Sequence, residues 1–360
     1  MKRTPLIRPD ALARRELLKA AGGCAALTNT SLLSTLFSLT ATNCAVAQSG
    51  ELGGYKVLVC LFLFGGNDSF NMLTPLSSGE RDDYLAARGG VYSPGNGALG
   101  LPDNTLHSIT DNTTGRTFGI HPAMPEMKTL YDQGKLTFLC NVGSLVEPTT
   151  MADYQSRASL PLGLFSHADL QRHWMTSVPQ TRSQITGWAG RMADMVTGAT
   201  KSNENISMNI SLSGNNVFQS GATSAEYSVE ASGNGAPGVN GYDDSTQFGR
   251  FRMRMVDDLL AVEQPHFLRR EYRRRLRDAI DSQAVFSAAL DGAPALTTPF
   301  AGDPFAQSLR QIARVISARD ALGATRQTFF VQFGSWDHHD EVLDNQARLL
   351  PLISSGLQQF

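Results

Sequence analysis

Asp337, His338, His339 and Asp340 gather two carboxylates and two imidazoles in four consecutive positions, just after Gly334-Ser335-Trp336. Zinc takes imidazole nitrogen and carboxylate oxygen, whereas calcium and magnesium prefer oxygen alone, so Asp337 and His339 are candidate metal ligands. A loop of satisfied polar groups is the competing reading. Asp68 is the third candidate ligand, after Gly65-Gly66-Asn67. Paired glycines let a backbone approach closely, and an acid beside them suits a metal or phosphate site, although Asp and Asn after Gly also form ordinary loops. Asn71, in the same loop, is the candidate substrate contact. Ser166-His167-Ala168-Asp169 is the third place where chemistry could sit. Ser166 reads as a helix N-cap. It and His167 are also candidate catalytic residues, because a helix N-terminus favours an anion.

The elements that must position these residues are apolar runs separated by helical periodicity. Lys56 to Phe64 (KVLVCLFLF) is a continuous apolar and aromatic run that stops at the paired glycines, and Thr328 to Phe333 (TFFVQF) stops just before the Asp-His cluster. Such runs suit strands buried on both faces of a parallel sheet. Leu136 to Val142 (LTFLCNV) is a further strand candidate, and Ile206 to Leu212 another. Helical spacing over Pro122–Gly134 and Phe305–Leu322 supplies the crossovers, so the expected class is α/β with a mostly parallel sheet and helices on both faces. In such sheets ligands bind outside the carboxyl ends of the strands, where both acids fall. Residues 77–118 and 198–248 are polar and turn-rich and read as surface insertions or mobile loops. Arg269 to Arg277 (RREYRRRLR) has helical spacing and reads as a solvated helix face rather than an anion site.

The front of the chain has the form of an export signal over residues 1–47. Lys2, Arg3, Arg8, Arg14, Arg15 and Lys19 precede a mildly apolar stretch from Ala20 to Thr42, and Ala45-Val46-Ala47 offers a small-x-small cleavage site before Gln48. Arg14-Arg15 followed by Glu16-Leu17-Leu18-Lys19 matches a twin-arginine address, so the expected location is periplasmic or extracellular and the expected partner during export is the twin-arginine translocase. Of the 31 basic and 33 acidic residues, six and two lie in the leader, leaving 25 against 31 in residues 48–360. That acidic balance lacks the basic stripe of a nucleic-acid binder. No membrane partner is expected after cleavage. Cys60 and Cys140 lie in apolar runs, where two buried thiols are the expectation.

Several short motifs in fixed order resemble the bacterial family catalogued as domain of unknown function 1501, itself similar to the alkaline phosphatase and sulfatase superfamily. They are the twin-arginine leader, LFGGNDSFNMLTPL (63–76), IHPAMPEMKTLYDQGKLTFLCNVG (120–143), SHADLQRHW (166–174) with GWAGR (187–191), and FFVQFGSWDHHDE (329–341). The resemblance implies an alkaline phosphatase-like sheet with a metal cleft at its strand ends. By it Asp68 corresponds to a metal-binding aspartate, Asp337 and His339 to the Asp-x-His metal pair, and Ser166 or His167 to the nucleophile or substrate-anion position. Family members continue into further strands with Glu-Phe-Gly-Arg-like and Asp-His-Gly-like segments. This sequence stops at Phe360, so the resemblance implies one domain over 48–360 that is incomplete at its C-terminus, inactive by itself if the missing ligands are essential.

The expected function is a metal-dependent hydrolase of phosphate or sulfate esters using zinc, calcium or magnesium. The alternative is a non-catalytic exported protein that uses the same scaffold to bind a glycan or an assembly partner, since fold does not dictate function. A serine hydrolase centred on Ser166 would lack the Gly-x-Ser-x-Gly elbow.

Overall fold

The computed structural model describes residues 54–200, 206–233, 235–236, 238–239 and 242–360. The expected leader and its cleavage site lie outside the described residues. The elements run β1 (Lys56–Leu63), α1 (Ser69–Met72), β2 (Leu73–Pro75), α2 (Glu80–Ala87), β3 (His107–Thr110), β4 (Thr117–Ile120), α3 (Pro125–Asp132), α4 (Met151–Ser156), α5 (His167–Thr176), α6 (Trp188–Thr200), β5 (Asn209–Ser211), β6 (Tyr227–Ser228), α7 (Gln247–Ala261), α8 (Phe267–Asp291), α9 (Pro304–Ser317), β7 (Arg326–Phe333) and α10 (Val342–Gln359).

β1 and β7 pair in parallel along their whole lengths, from Lys56 opposite Arg326 to Leu63 opposite Phe333. β5 pairs with the other side of β7 and with β6, giving the all-parallel order β1-β7-β5-β6. Successive side chains of a strand point to opposite faces, and both faces here are apolar. Val59, Leu61, Leu63, Phe329, Val331 and Phe333 face the main core with Leu309, Ile312 and Leu350 from α9 and α10. Cys60, Phe62 and Phe330 face a smaller cluster with Met175 of α5, Ala189 of α6 and Phe218. Helices therefore cover both faces, as the unbroken apolar runs require. Phe329 and Phe330 are almost wholly buried, each contributing about 1.5–3 kcal/mol relative to exposure. α9 begins at the Asp303 cap, whose carboxylate accepts from Phe305 and Ala306 N–H, with Pro304 in its first turn.

Three segments differ from expectation. Residues 136–142 form no strand: the backbone is irregular, Asn141 takes φ 57°, and Leu139 is 65 % exposed. An apolar run supplies strand propensity, but pairing is settled by distant chain, and this run has no ladder partner. Cys140 is accordingly exposed rather than buried, and it and Cys60 are both free. Residues 77–118 are no mere surface insertion. They carry α2 with its buried Arg81 and Tyr84, and β3 and β4, which join β2 in an antiparallel sheet of order β2-β4-β3. Part of 198–248 also enters the core. Asn209, Ser211 and Gln219 are fully buried. The Gln219 carboxamide donates to the Ile210 and Thr328 carbonyls at 3.1 and 3.2 Å, and the Thr328 hydroxyl donates to Asn209 Oδ1 at 2.8 Å. Polar residues can occupy a central sheet position because each finds a partner there.

The end of β4 carries an acid-sensitive group. His121 is 4 % exposed, and its Nδ1 accepts from Ala123 N–H at 3.0 Å. Burial, with a smaller contribution from the His107 charge, pushes its pKa down to about 4 from 6.5. The unfolded chain binds this proton more readily, so the neutral imidazole's stability is complete above pH 6.5 and is lost as pH falls towards 4. The expected loss is about 2–3 kcal/mol. Denaturant unfolding of wild type and His121→Asn at pH 7.5 and 4.5 checks it, the variant showing the smaller acid loss.

Candidate metal centre

The paired strands β1 and β7 stop in register, so the loops that follow leave the sheet side by side. Phe64 N–H donates to the Phe333 carbonyl at 2.9 Å, and Trp336 N–H to the Phe64 carbonyl at 3.3 Å. Trp336 is wholly buried, edge-on to Phe333 at 5.8 Å, and this anchor fixes where Asp337 emerges. The glycines are required by what lies against them. A Cβ on Gly65 would sit 2.6 Å from the Asp337 nitrogen, and one on Gly66 would sit 2.6 Å from Cε1 of His167. Their φ values of 134° and 148° are likewise open mainly to glycine. Through this contact the start of α5 reaches the carboxyl ends of β1 and β7.

Asp337 is the hub of the resulting cluster. Its Oδ1 lies 2.8 Å from His339 Nε2 and 3.2 Å from His167 Nε2. One ligand atom from each of the three residues falls within 4.8 Å of the others, and all three residues are exposed. The two imidazoles stand nearly perpendicular, with ring centres 6.2 Å apart. Phe165 and Ser335 each precede a cluster member by two residues, and both take left-handed φ values of 73° and 72°. Non-glycine residues held there are strained and concentrate at functional sites. His338 turns away: its Nε2 lies 2.7 Å from the Ser335 carbonyl.

His167 is the first residue of α5, with Ser166 as its N-cap accepting from Asp169 N–H at 3.4 Å. The cap reading of Ser166 thus holds, and the hydroxyl is engaged with the helix start. The first turn of α5 is clamped to the loop that follows the helix by Arg182, which donates to both oxygens of Asp169 at 2.7 and 2.8 Å. Those bonds hold the Asp169 pKa down to about 2. His173, farther along α5, is 1 % exposed, and burial pushes its pKa down.

Asp68 and Asn71 stand elsewhere than expected. The Asp68 carboxylate pairs bidentately with Arg88 at 2.6 Å on both oxygens, and it caps α1 by accepting from Phe70 N–H at 3.1 Å. The Asp68 carbonyl accepts from Gln346 of α10 at 2.7 Å. With its charge committed to a guanidinium, Asp68 is not in the group that His167, Asp337 and His339 form. Asn71 is fully buried, accepting from the Tyr84 hydroxyl at 2.6 Å and donating to the Leu99 carbonyl at 3.3 Å. Its carboxamide ties α1 to α2 and to the chain at Leu99, so the side chain expected to contact substrate is buried and hydrogen-bonded within the protein. His167, expected near a nucleophile, stands beside Asp337 and His339 as the third member of a group that could hold a metal ion. No local signal in the sequence gives it that role, because its partners lie about 170 residues away.

Comparison with protein-family models, curated proteins and solved structures finds no match to this chain.

Proposed function

We propose that the chain is an exported metal-dependent hydrolase of phosphate or sulfate esters, with its ion held by His167, Asp337 and His339. The observation that carries this is the convergence of two imidazole nitrogens and one carboxylate oxygen at the carboxyl end of a parallel sheet. That donor set suits zinc and related ions over calcium or magnesium, and three protein ligands are the number that leaves a coordination position open. Such an ion supplies Lewis acidity and lowers the pKa of a bound group. The chain's own contributions are orientation and charge. Gly65 and Gly66 let the three ligands converge, and Trp336 fixes the loop that carries two of them. The backbone N–H groups of His167 and Ala168 precede the Asp169 N–H that Ser166 caps, and a helix start of this kind favours an anionic ester. The ordered motifs and the sheet with helices on both faces support an alkaline phosphatase-like fold, and the leader motif supports export.

One observation favours a second, non-catalytic reading. The cluster is exposed, and the hydroxyl nearest it in sequence, on Ser166, is committed as a helix cap. Turnover of aryl phosphate and aryl sulfate by the zinc-loaded protein separates the two. Chelator-sensitive hydrolysis of either ester is the expected result. A stoichiometric ion without turnover establishes the binding reading, and failure to bind zinc, cobalt or manganese removes both.

A further inference from the structure

The loop after β7 alternates its side chains. Asp337 and His339 are exposed, whereas His338 between them is half-buried. The His338 ring lies against the wholly buried Trp336, with ring centres 5.6 Å apart. Its Nε2 lies 2.7 Å from the Ser335 carbonyl. A carbonyl can only accept, so Nε2 carries the hydrogen and donates. The other nitrogen, Nδ1, is buried and has no hydrogen-bond partner among the described residues. An apolar ring would fill the same place without leaving a buried nitrogen unpaired. Packing alone therefore does not account for an imidazole here, whereas the bond to Ser335 does.

That bond closes the turn in which Asp337 sits. Ser335 holds a φ of 72°, a conformation that persists at a non-glycine residue only when its surroundings fix it. Trp336 N–H donates to the Phe64 carbonyl at 3.3 Å, and His338 N–H to the Trp336 carbonyl at 3.1 Å. Beyond His338 the anchors stop. Among the described residues His339 has one ion pair, with Asp337, and its side chain is 74 % exposed. Glu341, the N-cap of α10, makes no side-chain cap bond. His338 is the last anchored side chain before His339.

We propose that His338 is a positioning residue for the metal centre: by donating to the Ser335 carbonyl it holds the turn that aims Asp337 and His339 at one ion. The inference rests on the centre proposed above, and it gives His338 no bond to the ion. Groups that orient metal ligands from outside typically contribute ten- to a hundredfold in affinity. His338 acts through the backbone, since it adjoins both ligands in the chain and fixes the residue two positions before Asp337.

Three substitutions in the full chain test this. His338→Ala removes both ring and donor, and His338→Phe keeps a ring against Trp336 without the donor. His338→Gln carries an amide N–H as many bonds from Cα as Nε2 is. Zinc affinity, read by competition with a chromophoric chelator, should fall about tenfold in the Ala and Phe variants and stay near wild type in the Gln variant. The visible absorption of cobalt loaded in place of zinc should change in the first two and be kept in the third, while the melting temperature of the apo protein holds in all three. Affinity retained by His338→Phe assigns the residue to packing and overturns the proposal. Affinity lost in all three makes His338 itself a ligand, and affinity kept in all three leaves it no role in the centre; either overturns it. So does a fall in apo melting temperature that tracks the loss of affinity. Wild-type protein that takes up neither zinc nor cobalt removes the metal centre itself, and this inference with it.

Discussion

Asp337→Asn should lower zinc affinity at least a hundredfold while leaving the melting temperature within a degree or two of wild type. The first expectation follows from geometry. Asp337 Oδ1 is the atom that both imidazoles approach, at 2.8 and 3.2 Å, so the substitution removes one ligand of three and the charge that orients the other two. Loss of an outer partner alone typically costs ten- to a hundredfold in metal affinity, and loss of a ligand costs more. The second expectation follows from exposure. The Asp337 side chain is half exposed, and surface substitutions away from caps and buried networks stay within about 0.5 kcal/mol. Competition titration against a chromophoric chelator, beside thermal melting of the apo protein, reads the two separately. A large fall in apo stability with unchanged zinc affinity would make Asp337 a structural residue.

Gly66→Ala should weaken zinc binding by ten- to a hundredfold without any change in a ligand. The added methyl would stand 2.6 Å from Cε1 and 2.9 Å from Nδ1 of His167, so the imidazole must leave its position for the chain to accept it. A φ of 148° adds strain of about 1–3 kcal/mol. Gly65→Ala should be worse for the fold, because its methyl would meet the backbone of Trp336 and Asp337, which cannot rotate away as a side chain can. Gly334 is the control within the same cluster of loops. No atom lies within 4 Å of a Cβ built there, so Gly334→Ala should retain both zinc affinity and stability. Measuring all three variants by the same titration distinguishes a specific steric requirement from a general need for loop flexibility.

The strands that carry the site were legible because each is a long apolar run, and a strand buried on both faces has little choice but to be one. β1 and β7 appear where KVLVCLFLF and TFFVQF predict them, within a few residues at each end. β5 was only loosely marked within Ile206–Leu212, because Asn209 and Ser211 are polar; Asn209 is partnered by Gln219 and Thr328 and Ser211 by Gly214 and Asn216, contacts that local pattern does not encode. The run at 136–142 failed for the opposite reason: local composition favoured a strand, but no distant segment pairs with it. Asp337 and His339 were legible as close neighbours from their spacing. Sequence pattern grouped Asp68 with them rather than His167, because a carboxylate beside paired glycines looks like a ligand until its guanidinium partner, Arg88, is known. The glycines themselves were read correctly as points of close approach; what approaches them is the Asp337 backbone and the His167 ring.

In the proposed centre His167, Asp337 and His339 hold one ion together. Anomalous scattering at the zinc edge from crystals of the zinc-loaded protein tests it most directly. The predicted result is a single strong peak within coordination distance of Nε2 of His167, Nε2 of His339 and a carboxylate oxygen of Asp337, with the Asp68–Arg88 pair intact. A peak bound by Asp68 with Arg88 displaced, or none at the three residues at saturating zinc, would contradict it.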